Sequence, residues 1–142
     1  MPEGVFIDTW GWLALGHRHD ARHQEIKAFY QALQGENTLC YTTDYVLDEV
    51  ITLLFRREAF EEAVRFVEGI FQAAEEGRLT VERVTSERFA SAWRIRKRFQ
   101  DKPKISFTDL TSMVIMRERK IKKVLTEDEH FLKVGLGFQK VP

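Results

Sequence analysis

Apolar residues along this chain occur in two patterns that alternate: short consecutive runs, and longer segments in which they recur at helical spacing. Val5-Phe6-Ile7 is a run of three, two of them β-branched, which predicts a short strand buried on both faces. Trp10 to Leu15 predicts a short helix, broken by Gly16 and the polar run from His17 to Asp20. Ile26, Phe29, Tyr30 and Leu33 then fall at i, i+3, i+4 and i+7, a single helical stripe that Gly35 is placed to end. Leu39 to Thr42 predicts a second strand. Thr43 or Asp44 can cap the helix that follows, where Leu47, Val50, Ile51 and Leu54 repeat the helical spacing. A further helix is expected from Phe60 to Glu76, with Phe60, Ala63, Val64, Val67, Ile70, Phe71 and Ala74 inward and Gly77 as its stop. These two helices form an expected hairpin.

Leu79-Thr80-Val81, with Val84, predicts a third strand, more exposed than the first because of the charges at Glu82 and Arg83. Thr85 or Ser86 starts the next helix, whose apolar positions are Phe89, Ala92, Trp93 and Phe99, and Asp101-Lys102-Pro103-Lys104 ends it in a loop. Ser106-Phe107-Thr108-Asp109 has the Ser-x-x-acid form of a helix N-terminus, with Phe107, Leu110, Met113 and Val114 as the buried face. Val124-Leu125-Thr126 is a fourth strand, followed by a turn around Phe131 and Leu132 and a last segment from Phe138 to Val141. Strands that alternate with helices in this way predict an α/β protein of three layers, α/β/α, with a mostly parallel central sheet of four or five strands.

At 142 residues the chain has the size of one domain, 1–142, able to bury about two thirds of its unfolded surface. No apolar run is long enough to cross a bilayer, and the first residues lack the basic-then-apolar pattern of a secretory signal, so a cytoplasmic protein with no membrane partner is expected. Cys40 is the only cysteine, which excludes an internal disulfide and a cysteine-based zinc cluster. The formal net charge is zero, but it is segregated. Between Arg94 and Lys123, eleven cations face Asp101, Asp109 and Glu118, so eleven minus three gives +8 and the rest of the chain carries −8. Arg94, Arg96, Lys97, Arg98, Lys102 and Lys104, with the second basic segment from Arg117 to Lys123, are candidates to bind a phosphate backbone. Taken one at a time, the same cations better suit the C-terminal turns of helices, where they complement the helix dipole.

Asp8 and Asp128 follow two different strands, so in a parallel sheet both stand at the same edge, where open α/β sheets bind ligands. Asp109 lies in the first turn of a helix that begins at that edge. Each acid has an ordinary alternative: Asp8 an N-cap, Asp109 the reciprocal half of a capping box, and Asp128 a cap for the turn at Phe131. Glu49 and Asp48 lie on opposite margins of their helix stripe, and periodicity alone does not choose between them. Carboxylates gathered at one place repel and raise each other's pKa unless a cation sits among them. Donors that are all oxygen suit Mg2+ or Mn2+ better than zinc, and such an ion serves hydrolysis of a phosphodiester.

Val5-Phe6-Ile7-Asp8-Thr9, Thr42-Thr43-Asp44-Tyr45-Val46-Leu47-Asp48-Glu49-Val50, Ser106-Phe107-Thr108-Asp109 and Val124-Leu125-Thr126-Glu127-Asp128-Glu129-His130-Phe131 occur in this order. In this the chain resembles PIN-domain ribonucleases, and in its compact length the VapC toxins of toxin-antitoxin pairs. The resemblance implies a PIN-like fold and Asp8, Glu49, Asp109 and Asp128 as the catalytic quartet, selecting Glu49 over Asp48. It implies Mg2+ or Mn2+ held by Asp8, Asp109 and Asp128, cleavage of single-stranded RNA, a homodimer, and a VapB-like antitoxin that inserts a segment into the active site. Thr9, Ser106, Thr108 and Thr126 are candidates to hydrogen-bond an acid or the water beside the ion. His17, His19 and His23 are closely spaced without regular ligand geometry and are expected in solvated loops, with support of the second helix as an alternative for His23. Trp10, Trp12 and Trp93 are candidates to stack on bases, although aromatics at helical spacing are usually core. There is no Gly-rich phosphate loop and no nucleophilic Ser or Cys motif.

Overall fold

The computed structural model describes residues 4–142. Five parallel strands lie in the order β3-β2-β1-β4-β5: β1 is Val5–Ile7, β2 Cys40–Thr43, β3 Leu79–Glu82, β4 Lys123–Leu125 and β5 Gln139–Val141. Among the described residues seven helices cover both faces: α1 Thr9–Gly16, α2 His23–Gly35, α3 Asp44–Arg57, α4 Phe60–Glu75, α5 Ser86–Arg98, α6 Phe107–Glu118 and α7 His130–Lys133. This is the α/β/α architecture the alternating pattern predicts. β1 is central because all three of its residues are apolar and buried, with Phe6 aligned between Tyr41 of β2 and Val124 of β4. Among the described residues no helix is long and apolar enough to cross a membrane.

Three local choices bring α1 close over the sheet. Asp8 caps it, accepting from the Gly11 N–H at 2.9 Å. Trp12 is buried, and its indole Nε1 donates to Thr42 Oγ1 at 3.0 Å, which in turn donates to the Ile7 carbonyl. Gly11 has no side chain to keep the helix off the sheet: a Cβ there would lie 2.7 Å from the Leu125 carbonyl oxygen and 3.0 Å from Ile7 Cγ2. Gly11→Ala is therefore expected to destabilise the fold by about 1–3 kcal/mol, read as a lowered midpoint in urea. An unchanged midpoint would mean that α1 yields without cost.

Helix α6 departs furthest from the expected single buried face, since every residue from Asp109 to Met116 is buried. Its polar members are satisfied locally, Thr111 and Ser112 both donating to the Thr108 carbonyl, at 2.6 and 3.1 Å. Phe107 is only half-buried. On α5 the buried residues are Ala92 and Ile95, while Phe89 and Trp93, expected inward, are 47% and 53% exposed. On α4, Phe60 and Phe71 are likewise exposed and Ala73, not Ala74, is buried, so the inward stripe is Ala63, Val67, Ile70 and Ala73.

Strand boundaries also shift. Leu39 precedes β2 and is exposed, β4 begins at Lys123, and Thr126 lies just past its end. β3 is more exposed than β1, as expected, but not at Glu82: that residue is buried, and its carboxylate meets Arg119 at 2.6 Å and Arg88 at 3.2 Å, which together hold its pKa below the usual range against burial. Thr43 is the cap of α3, accepting from Val46 N–H, while Asp44 accepts from the Val84 N–H and ties β3 to α3. His23 is buried with Nδ1 2.8 Å from the Ala14 carbonyl oxygen, joining α2 to α1, and burial pushes the Cys40 thiol up to about 11, where it is inert.

Candidate active site

The mouth of the sheet lies at the carboxyl ends of β1 and β4, which pair in register with Ile7 beside Leu125. The next residues are Asp8 and Thr126. Thr126 Oγ1 donates to Asp8 Oδ2 at 2.5 Å and accepts from the Asp128 N–H at 2.9 Å, so one hydroxyl sets the spacing between the two acids that follow the strands. Asp8 is thus both a helix cap, through Oδ1, and a member of the cluster, through Oδ2. The two readings of that residue do not compete.

Asp109 arrives from the other side on α6. Ser106 caps that helix, its Oγ accepting from the Asp109 N–H at 3.0 Å, which fixes Asp109 in the first turn. Its carboxyl is not returned to the cap. It hydrogen-bonds Asp128 and lies within the electrostatic reach of Asp8, Asp128 and Glu49. Glu49 is half-buried on α3, whereas Asp48 is exposed. The structure therefore gathers Asp8, Glu49, Asp109 and Asp128 from four separate segments into one place.

This gathering has an electrostatic consequence. Burial, then the negative charges of Asp8 and Asp128, push Asp109 up to about 8. Burial pushes Asp8 up to about 7, with Asp128 and Glu49 adding to the rise, against the hydrogen bonds from Thr126 and Gly11 that favour its ionised form. Two acids that resist ionisation at neutral pH form a site that gains by holding positive charge.

One member is absent from the sequence-derived set. His130 Nδ1 lies 3.0 Å from Asp128 Oδ1, and ligand atoms of Asp109, Asp128 and His130 all fall within 4.8 Å of one another. The signal was local: Asp128 Oδ1 also accepts from the His130 N–H at 2.8 Å, a turn in which an aspartate brings the residue two positions on back beside its own carboxylate. Carboxylate oxygens with one imidazole fit a divalent cation such as Mg2+ or Mn2+, and the raised acids give it a reason to bind.

The other candidates separate by what they touch. Thr126 and Ser106 act on the acids directly, as described; Thr9 is buried in the first turn of α1, and Thr108 uses its carbonyl to hold Thr111 and Ser112. Arg96 is removed from the RNA-facing set, because its guanidinium donates to the Ile105, Phe99 and Lys102 carbonyls and shapes the loop ahead of α6. Lys102 is half-buried, paired with Asp101 and set over the Phe99 ring. Arg94, Lys97, Arg98 and Lys104 are exposed.

The PIN-domain family model matches residues 5–136. The chain is 34% identical over 135 residues to the 23S rRNA-specific endonuclease VapC20 of Mycobacterium tuberculosis, in both strain CDC 1551 / Oshkosh and strain ATCC 25618 / H37Rv, with 92% of this chain and 94% of the relative covered. The crystal structure of the M. tuberculosis VapC20, described as a sarcin-ricin loop cleaving toxin, superposes with a TM-score of 0.81 at 32% identity over 97% of this chain and 98% of that one. With a family model matched over nearly its whole length and a relative this similar from end to end, the chain belongs to the PIN-domain family and is a nuclease of that family.

Proposed function

We propose that this protein is a Mg2+- or Mn2+-dependent endoribonuclease that cleaves single-stranded RNA, as the toxin of a VapBC-type toxin-antitoxin pair. The observation that carries the reading is the convergence of four acids, two of them buried and raised toward neutrality, at the mouth of the sheet. In this reading Asp8, Asp109 and Asp128 hold the ion, with the His130 ring beside them. Glu49, at the margin of the cluster, is either a further ligand or the group that orients the attacking water. When bound, a divalent ion supplies positive charge against that developing on the phosphodiester and makes water a better nucleophile. Thr126 holds Asp8 and Asp128 at a fixed separation, and the Ser106 cap holds Asp109 opposite them.

The whole chain, 1–142, acts as one domain and pairs with a second copy. A VapB-like antitoxin is its partner, with a segment that enters the acidic mouth. Because the similar VapC20 acts on 23S rRNA, ribosomal RNA is the first natural substrate to offer. Purified free of any partner, the protein is expected to cut RNA in Mn2+ and to stop when EDTA is added; cutting that continues in EDTA would remove the metal from the mechanism. Calorimetric titration with Mn2+ tests the ligands apart from turnover: Asp8→Asn should lose the site that the wild type shows. A binding module whose acids were only caps would give the same titration for both.

A further inference from the structure

Helix α5 presents aromatic residues to solvent where its apolar stripe predicts core. Phe89 and Trp93 are one turn apart and about half exposed, while Ala92 and Ile95 supply the packing. Isolated exposed aromatics are ordinary. These are not isolated. The Phe89 ring packs on the Phe107 ring at 4.9 Å between centroids, and Phe107 opens α6 two positions before Asp109. At the other end, Lys97 places Nζ over the Trp93 ring, 6.0 Å from its centroid. Phe89, Trp93 and Lys97 stand at i, i+4 and i+8, so they make one face about 12 Å long at ~1.5 Å per residue.

We infer that this face is where single-stranded RNA stacks its bases beside the acidic mouth, with Trp93 and Phe89 as positioning residues. The inference rests on the ribonuclease reading above and adds to it which side of the mouth the strand approaches from. Charge selects the occupant. Of the cations on α5, Arg88 is paired with Glu82 and Glu118 and Arg96 is turned to backbone carbonyls, while the exposed Arg94, Lys97 and Arg98 carry positive charge into solvent. A second copy docked through this face would bring like charges together, whereas a polyanion neutralises them. A single strand has open base faces that an indole and a phenyl ring can cover, and Lys97 remains near the phosphates. The rings touch no reacting atom; they hold the strand beside the cluster.

The experiment uses the full chain. In an Asp109→Asn background with EDTA, the anisotropy of a short fluorescein-labelled single-stranded RNA is titrated with protein carrying Trp93→Ala, Phe89→Ala or Trp93→Phe. Trp93→Ala is expected to weaken binding about tenfold, as the loss of one stacked base does, and Trp93→Phe to restore most of it. In the active protein the same variant raises KM with kcat held within about twofold. Indole emission quenched by RNA in the wild type should be largely unquenched in Trp93→Phe, where only Trp10 and Trp12 emit. Phe71→Ala, which removes an equally exposed ring from α4, leaves affinity unchanged. Equal affinity and equal KM in Trp93→Ala overturn the inference while leaving the nuclease reading intact. So does sedimentation of Trp93→Ala as a smaller species at unchanged RNA affinity per chain, which would make the face a contact between copies. Failure of the nuclease reading looks different, because wild type and Asp109→Asn would then be alike in Mn2+.

Discussion

Asp109→Asn is expected to lower kcat for RNA cleavage by about three orders of magnitude, ~4 kcal/mol in barrier height, and at the same time to raise the thermal stability of the metal-free protein above neutral pH. The two effects have one cause. Asp109 is buried in contact with Asp128 and under the charge of Asp8, so its ionised form is unfavourable in the fold unless a cation compensates it. An amide of the same size never ionises, which removes the repulsion and also the charge that holds the ion. The backbone of the first turn is unaffected, because the bond from the Asp109 N–H to Ser106 Oγ does not involve the side chain. Initial rates at saturating Mn2+ and melting curves in EDTA at about pH 8 read the two effects separately. Wild-type cleavage by the variant would dismiss Asp109 from the chemistry, and a lowered melting temperature would show that its carboxyl has a stabilising partner instead.

The second large effect is on stability as a function of pH. Asp8 rises from 3.8 to about 7 on folding, and Asp109 from 3.8 to about 8. For an acid whose folded pKa lies above its unfolded one, the favourable contribution is fully present below the unfolded value and disappears as pH climbs through the folded value. The metal-free protein should therefore lose stability from about pH 4 to about pH 8, by ~4 kcal/mol for one carboxyl shifted about three units. The two acids share one cluster, so their contributions do not simply add. Glu82 has the opposite sign, since its lowered pKa costs stability only as pH falls below the ordinary carboxylate range, outside this window. Mn2+ should reverse the slope, because ionised ligands bind it best at the alkaline end. Thermal or urea unfolding at about pH 5 and about pH 8, with EDTA and with Mn2+, tests this. A flat profile in EDTA would mean that water reaches the cluster well enough to keep both acids near their ordinary range.

Much of this was legible in the order of residues because strands and helices leave different periods. Val5-Phe6-Ile7 has only one plausible environment, and once four such runs alternate with helical stripes, a parallel sheet places Asp8 and Asp128 at one edge before any coordinate is known. Ser106 three residues before Asp109 marks the helix start that carries the third acid. The failures also have identifiable causes. Phe89 and Trp93 share an apolar stripe with Ala92, but a stripe is inside only where another element covers it, and on α5 the cover reaches Ala92 and Ile95 alone. Glu82 reads as exposed until Arg88, six residues away, and Arg119, thirty-seven away, come to meet it. Arg96 reads as one of a run of surface cations, and only the chain's return through Lys102 and Ile105 adds two carbonyls to that of Phe99 around its guanidinium.

Local order along the chain thus determined which carboxylates follow strands or open helices, and hence the edge of the sheet at which they stand. That edge follows from direction and period, properties carried by neighbouring residues. Periodicity left Asp48 and Glu49 open, the family resemblance selected Glu49, and the tertiary structure sets Glu49 near the other acids. Tertiary structure alone decided that His130 folds back beside Asp128 and how strongly Asp8 and Asp109 resist ionisation. Those outcomes depend on distance and on the exclusion of water, which are set by side chains packed together from segments far apart in the chain.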